Sequence, residues 1–231
     1  MNILHGLERL LFPDRCLICG EPTLERIPFC KSCIKDFTSL LSADCPVCGE
    51  KPADCRCVGG KCAFLFFYSE PRAKRIILSL KHAPNKNAAR FFGGVIANYY
   101  EKRVFDAVVF PPRTAKNASK YGIDHVEAIA REYSRASGVP VSCALERTHR
   151  AEEQKLLSAS QRRKNALGLF RADAEKLNGA KRVLLIDDVR TTGSTLAACA
   201  LALRKAGVKQ ITRFVLANTP PAKKRYKAKK K

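Results

Sequence analysis

The chain has 231 residues, of which 46% are hydrophobic, and a formal net charge of +22. At ~100–200 residues per domain this is one ordinary domain with a small companion, or two modest domains; the apolar share excludes wholesale disorder. No apolar run in the sequence reaches the ~18 residues that a membrane span needs.

Met1–Phe12 lacks the pattern of a signal peptide. Its apolar stretch is short and carries Glu8 and Arg9, and no small-residue cleavage site follows. A cytoplasmic location with reduced thiols is the expectation. Nine of the 11 cysteines precede residue 63. Residues 1–62 carry 8 basic and 8 acidic side chains, so the whole positive excess lies beyond them. Composition therefore predicts a first domain over 1–62 and a second over 63–221.

The first segment reads as zinc ribbons. Cys16-x-x-Cys19 is followed by Cys30-x-x-Cys33, and Cys45-x-x-Cys48 by Cys55-x-Cys57. A C-x-x-C turn presents two sulfurs on one side of a knuckle, and two knuckles make a tetrahedral Cys₄ site. Gly20 and Gly49 each follow a knuckle, where a residue tolerant of positive φ is needed. Disulfides and free structural thiols are the alternatives, and a reducing compartment disfavours the first. Two structural zinc sites in sequence order follow, Cys16/Cys19/Cys30/Cys33 and Cys45/Cys48/Cys55/Cys57; crossed pairing and a single zinc are the variants. Cys62, Cys143 and Cys199 read as small buried hydrophobes.

The remainder alternates strands and helices. Ala63–Tyr68 reads as a strand, and Ile76, Ile77 and Leu80 mark a helix. Phe91, Phe92, Val95, Ile96, Tyr99 and Tyr100 form a second helical stripe, read as core rather than as base-stacking platforms. Ala107–Phe110 is a strand stopped by Pro111-Pro112. Val126, Ile129, Ala130 and Tyr133 predict a helix ending near Gly138. Val183–Ile186 is a continuous apolar run, as in a central parallel strand. A helix over Leu196–Leu203 and a strand over Ile211–Leu216 follow. This alternation predicts an α/β fold, a parallel sheet flanked by helices, with ligands at the carboxyl ends of the strands. Ala222–Lys231 carries seven positive charges and no acid, which predicts a disordered basic tail.

The chemistry concentrates in Asp187-Asp188-Val-Arg-Thr191-Thr192-Gly193-Ser194-Thr195. An apolar strand delivers two carboxylates, and a loop of hydroxyls and glycine then enters a helix. Free backbone N–H groups and the helix dipole make an anion site there. Carboxylates beside a phosphate cradle suit a sugar phosphate, with ribose hydroxyls bound directly or through hydrated Mg²⁺. A capped strand end with an acidic pair is the plainer reading, and it does not account for the whole run. No Walker A loop is present, since G-K-[ST] is missing. Arg147, Arg150, Lys155, Arg162, Arg163 and Lys164 read as an anion-binding surface, with a solvated face as the alternative. His82 and His125 read as ordinary polar residues.

The 183–195 run resembles the phosphoribosyl diphosphate (PRPP) motif of type I phosphoribosyltransferases. Leu145-Glu-Arg147-Thr148, Gln154, Leu157-Ser158, Arg162-Arg163-Lys-Asn165, Gly168 and Phe170 together resemble the central signature of the competence protein F (ComF) family. That family also carries N-terminal cysteine knuckles, here beginning Leu11-Phe12-Pro13. The resemblance covers roughly residues 7–217 and implies a type I phosphoribosyltransferase fold behind the ribbons. It implies catalytic roles for Asp187 and Asp188 at the ribose and metal. It implies PRPP contacts from Thr191, Thr192, Gly193, Ser194, Thr195, Arg113 and Lys81. A mobile loop would include Arg147, Gln154, Arg162 and Asn165. Mg²⁺ with PRPP would join the structural zinc. DNA uptake is the implied setting, with single-stranded DNA and a competence helicase or single-strand-binding protein as further partners. Pentosyl transfer from PRPP, PRPP sensing without turnover, and single-stranded-DNA binding are the three functions to separate.

The departures from the family are concentrated at one place. Where the family has Arg-Gly-Phe-Asn-Gln, this chain has Tyr121-Gly122-Ile123-Asp124-His125. Lys120 offers a cation near the lost arginine, without its bidentate grip on phosphate. His149 likewise stands for an arginine of the later signature.

Overall fold

The computed structural model describes residues 13–41, 45, 50, 62–82, 86–100, 105–113, 124–148 and 168–219. A two-residue ribbon, β1 (Asp14–Arg15) with β2 (Pro22–Thr23), is antiparallel and leads into α1 (Cys33–Leu41). Next come β3 (Cys62–Phe67), α2 (Pro71–His82), α3 (Lys86–Tyr99) and β4 (Ala107–Val109). The rest is α4 (His125–Ser137), β5 (Leu145–Arg147), β6 (Phe170–Ala172), β7 (Arg182–Arg190), α5 (Ser194–Lys205) and β8 (Gln210–Asn218).

The main sheet runs β3-β8-β7-β4, with every pair parallel. Val141 bridges to Val108 on the outer edge of β4, also parallel. The sheet separates two apolar layers. On one face Leu184, Ile186, Phe214 and Leu216 pack with Ile76, Ile77, Phe92, Ile96, Ile129 and Tyr133 of α2, α3 and α4. On the other, Val183, Leu185 and Val215 pack with Leu196, Cys199 and Leu203 of α5. This is the parallel sheet with helices on both faces that the sequence predicts.

Local rules explain the helices. Pro71 opens α2, where its missing N–H is harmless. Asp124 caps α4 by accepting from the N–H groups of Val126 and Glu127, and Gly138 closes it at φ 76°. Gly93 lets α3 lie close against α4. A Cβ there would sit 2.7 Å from both Glu132 Cβ and the Tyr133 nitrogen. Gly93→Ala is therefore expected to destabilise the protein by about 1–3 kcal/mol, read as a lower urea midpoint. An unchanged midpoint would mean that α3 and α4 part freely.

The cysteine ribbon shares the core of the α/β unit. Leu17, Ile18, Phe29 and Phe37 belong to the same buried cluster as Phe66 and Phe92. Phe29 stacks on Phe37 with ring centroids 4.4 Å apart, and Phe37 meets Phe66 and Phe92 edge-on. Ser79 Oγ donates to the Leu17 carbonyl at 3.1 Å, and Asn87 Nδ2 donates to Asp14 Oδ2 at 2.7 Å.

Three features differ from the sequence expectation. Strand β7 runs four residues beyond Ile186, because Val189 and Arg190 pair with Ala217 and Asn218. The short hairpin of β5 and β6 carries no legible signal, and it brackets the 149–167 segment from both sides. Of the three cysteines read as buried, Cys199 is buried, Cys62 is half-buried and Cys143 is exposed. Among the described residues, no helix is long and apolar enough to cross a membrane. The basic tail lies outside the described residues.

Candidate functional site

The metal centre is built by two turns. At Cys16–Cys19 the chain folds back so that Gly20 N donates to the Cys16 carbonyl at 2.9 Å, with Gly20 at φ 81°. At Cys30–Cys33 the turn enters α1, with the N–H groups of Cys33 and Ile34 on the Cys30 carbonyl. The four sulfurs lie within 4.8 Å of one another. Cys19 and Cys30 Sγ are 3.8 Å apart, which matches the ~3.8 Å edge of a tetrahedron with ~2.3 Å Zn–S bonds. Burial and the neighbouring sulfurs push the Cys33 thiol up to about 12, while the Ser32 hydroxyl brings Cys30 down to about 6. Four such groups lose their protons together only when a cation supplies the compensating charge. The donor set fits structural zinc. Cys45 is buried, and its N–H donates to the Glu50 carbonyl at 2.8 Å; Cys48, Cys55 and Cys57 lie outside the described residues.

The second site follows from topology. After β4 the chain passes through α4 to Val141, on the outer side of β4. After β7 it passes through α5 to β8, on the opposite side of β7. The carboxyl ends of β4 and β7 therefore flank a topological switch point, where open α/β sheets leave a crevice. A cavity of about 450 Å³ lies there. Lys81, Arg113, Arg147, Asp187, Asp188 and Thr195 line it, together with His82, Asp124 and His125.

Because Asp187 and Asp188 are consecutive residues of a strand, they project to opposite faces. Asp188 faces the helical layer of α2 and α4. Its Oδ2 takes Lys81 Nζ at 3.0 Å and His125 Nε2 at 2.8 Å. Burial works to raise this carboxyl, but His125 and Lys81 outweigh it and bring it down to about 2. Asp187 faces α5. Its Oδ1 accepts the Asp188 N–H at 2.9 Å, and burial, then the Asp188 charge, push it up to about 7. The site thus holds one fixed carboxylate beside a carboxyl that titrates near neutrality.

Thr191, Thr192 and Ser194 are exposed, and Thr192 Oγ1 lies 3.0 Å from Ser194 Oγ. Gly193 caps α5 in the left-handed region at φ 77°, with no side-chain bond to the first turn, and a Cβ there would lie 2.9 Å from Arg190 Nε. Gly193 offers no side chain to cap α5, and the Ser194 N–H meets the Thr192 hydroxyl at a long 3.4 Å, so the first N–H groups of α5 face an anion site with little competition. Arg113 extends from Pro111-Pro112. Its Nε meets Asp124 Oδ1 at 3.4 Å, its Nη2 bonds His125 Nδ1, and its Nη1 is buried without a partner among the described residues. Arg147, at the end of β5, donates to the Pro112 carbonyl at 2.8 Å and lies 4.8 Å over the Phe170 ring. Gln154, Arg162 and Asn165 lie outside the described residues.

His125 is a site residue that the composition of its surroundings hides. The signal was its phase. His125, Ile129 and Tyr133 are spaced i, i+4 and i+8, so the imidazole starts the buried stripe of α4.

Residues 7–64 match the double zinc ribbon domain. Competence protein F of Haemophilus influenzae is 30% identical over 120 residues, which are 51% of this chain and 52% of that protein. Competence protein ComFC of Streptococcus pneumoniae is 24% identical over 227 residues, 87% of this chain and 99% of that protein. The match thus spans about half the length of the first relative and nearly all of the second. Glutamine PRPP amidotransferase of B. subtilis, solved with ADP and GMP, aligns at TM-score 0.42 and 18% identity over 60% of this chain and 30% of its own. Adenine phosphoribosyltransferase of Leishmania tarentolae aligns at TM-score 0.34 and 11% identity over 62% of this chain and 74% of its own. With its four-cysteine centre joined to a parallel α/β sheet, the chain carries a segment that matches the double zinc ribbon domain and is similar in sequence to competence proteins F and ComFC.

Proposed function

We propose that the cavity at the β4–β7 switch point binds PRPP with Mg²⁺, and that the protein belongs to the phosphoribosyltransferase class and serves DNA uptake. One observation carries this reading. A carboxylate pair and a helix N-terminus with four hydroxyls follow one another on β7 and α5, while Lys81 and Arg113 line the same cavity as Asp187, Asp188 and Thr195. Ribose hydroxyls suit Asp187 and Asp188. A 5′-phosphate suits Thr191–Thr195, where N–H and O–H donors converge. The diphosphate suits Arg113 and Lys81. Mg²⁺, when bound, neutralises charge on the diphosphate and takes oxygen ligands. Positioning and charge neutralisation are the catalysis this chain's own groups offer, through cations aimed at the leaving diphosphate.

Calorimetric titration of Mg·PRPP into the zinc-loaded protein tests the reading. Micromolar binding is expected, weakened about tenfold or more by Asp188→Asn. Absence of binding in the wild type would contradict it. A second reading would then stand, favoured by the +22 charge: a basic surface for single-stranded DNA, with affinity falling steeply as salt rises.

A further inference from the structure

We propose that His125 is a positioning residue that holds the cation Arg113 and the carboxylate Asp188 in fixed register. Guanidinium nitrogens donate and never accept. The contact between Arg113 Nη2 and His125 Nδ1 therefore requires an unprotonated Nδ1. The single ring proton then sits on Nε2 and is donated to Asp188 Oδ2 at 2.8 Å. An imidazolium would set N–H against N–H at Arg113. His125 is accordingly neutral and in one tautomer, with one acceptor and one donor.

The neighbouring groups complete the clamp. Asp124 Oδ1 accepts the Val126 N–H at 2.9 Å and also meets Arg113 Nε. Two of the three guanidinium nitrogens are thus engaged, and Nη1 is left buried without a partner among the described residues. Asp188 Oδ2 is shared between His125 and Lys81. Three elements meet at one imidazole that is 8% exposed: the segment after β4, the start of α4 and the end of β7. Asp124 supplies the capping acceptor, and the neutral imidazole supplies the donor and acceptor that a carboxamide would.

The test has two arms, of which the second rests on the PRPP reading. First, long-range ¹⁵N–¹H spectra of the full zinc-loaded chain are recorded at pH 8, with His125 assigned by loss of its signal in His125→Gln. The expected signature is a protonated Nε2 and an unprotonated Nδ1 that shifts in Arg113→Lys. A protonated Nδ1, or an Nδ1 indifferent to Arg113→Lys, overturns the clamp. Second, Mg·PRPP is titrated into the variants. His125→Gln should bind within about threefold of wild type, and His125→Leu about tenfold or more weaker, the loss expected for hydrogen bonds to charged groups. A folded Leu variant with wild-type affinity, or a Gln variant weakened tenfold, overturns it; if the Leu variant does not fold, the Gln variant decides. A wild type that does not bind PRPP overturns the functional reading instead, and the tautomer arm then decides the clamp alone.

Discussion

Chelation of zinc is expected to lower the melting temperature of the whole protein by about 10 °C or more, rather than to melt a separate ribbon. Structural zinc contributes ~10–16 kcal/mol to folding in small zinc domains, which is comparable to the entire stability of a typical protein. Here that energy enters the main core. Cys16 and Cys33 are 1% and 6% exposed and lie in the same apolar cluster as Phe66 and Phe92. Losing the metal frees Phe29 and Phe37 from the stack that covers β3 and α3. It also loosens α2 at the Ser79–Leu17 bond, and α2 carries Lys81 to Asp188. Calorimetry with and without a chelator, and with Cys33→Ala, checks this at ~2–4 °C per kcal/mol for a chain of this size. A main transition that keeps its temperature while a small early one appears would show that the ribbon and the α/β unit fold separately.

Asp187→Asn should make the protein more stable at pH 8 and abolish its binding of Mg·PRPP. The carboxyl is pushed up to about 7 by burial and then by the Asp188 charge. A folded-state pKa above the unfolded value means that the folded state holds a proton the unfolded chain has released. Stability therefore falls as pH rises from about 4 to about 7 and stays low above that window. The asparagine variant escapes this loss, for a gain of at most about 4 kcal/mol at pH 8. Its amide oxygen can still accept the Asp188 N–H. Asp188 behaves in the opposite sense: its carboxyl is held down at about 2, so its contribution is present above pH ~4 and is lost as pH falls through ~2. Urea unfolding between pH 5 and 8 reads the Asp187 effect, and a second series between pH 2 and 4 reads that of Asp188. Wild-type stability that does not fall between pH 5 and 8, or a variant no more stable at pH 8, contradicts this assignment.

The sequence revealed what depends on long periodic patterns. The apolar stripe of α2, the continuous run Val183–Ile186 and the paired C-x-x-C turns each fix an element without help from distant residues. Pairings made across distance stayed hidden. Strands β5 and β6 are three residues each and find each other over more than twenty intervening residues, so neither has a pattern of its own. The end of β7 depends on its partner Asn218 in β8. The cavity was legible as a list of residues on β7 and α5, but not as two acids on opposite faces. His125 was missed because a histidine next to an N-cap looks solvated until the helical phase of Ile129 and Tyr133 is applied to it. The integration of the ribbon into the main core was invisible too, since Phe29 and Phe37 carry no mark of what they pack against.

The most direct test of the PRPP site is a crystal structure of the zinc-loaded protein with Mn²⁺ and PRPP, read by the anomalous signal of manganese. Manganese stands in for Mg²⁺ because both take oxygen ligands. The account predicts a manganese peak beside the carboxylates of Asp187 and Asp188, with the 5′-phosphate on the N–H groups of 191–195 and the diphosphate against Arg113. A ligand bound elsewhere, or a cavity that stays free of both metal and phosphate in a crystal saturated with each, would contradict it.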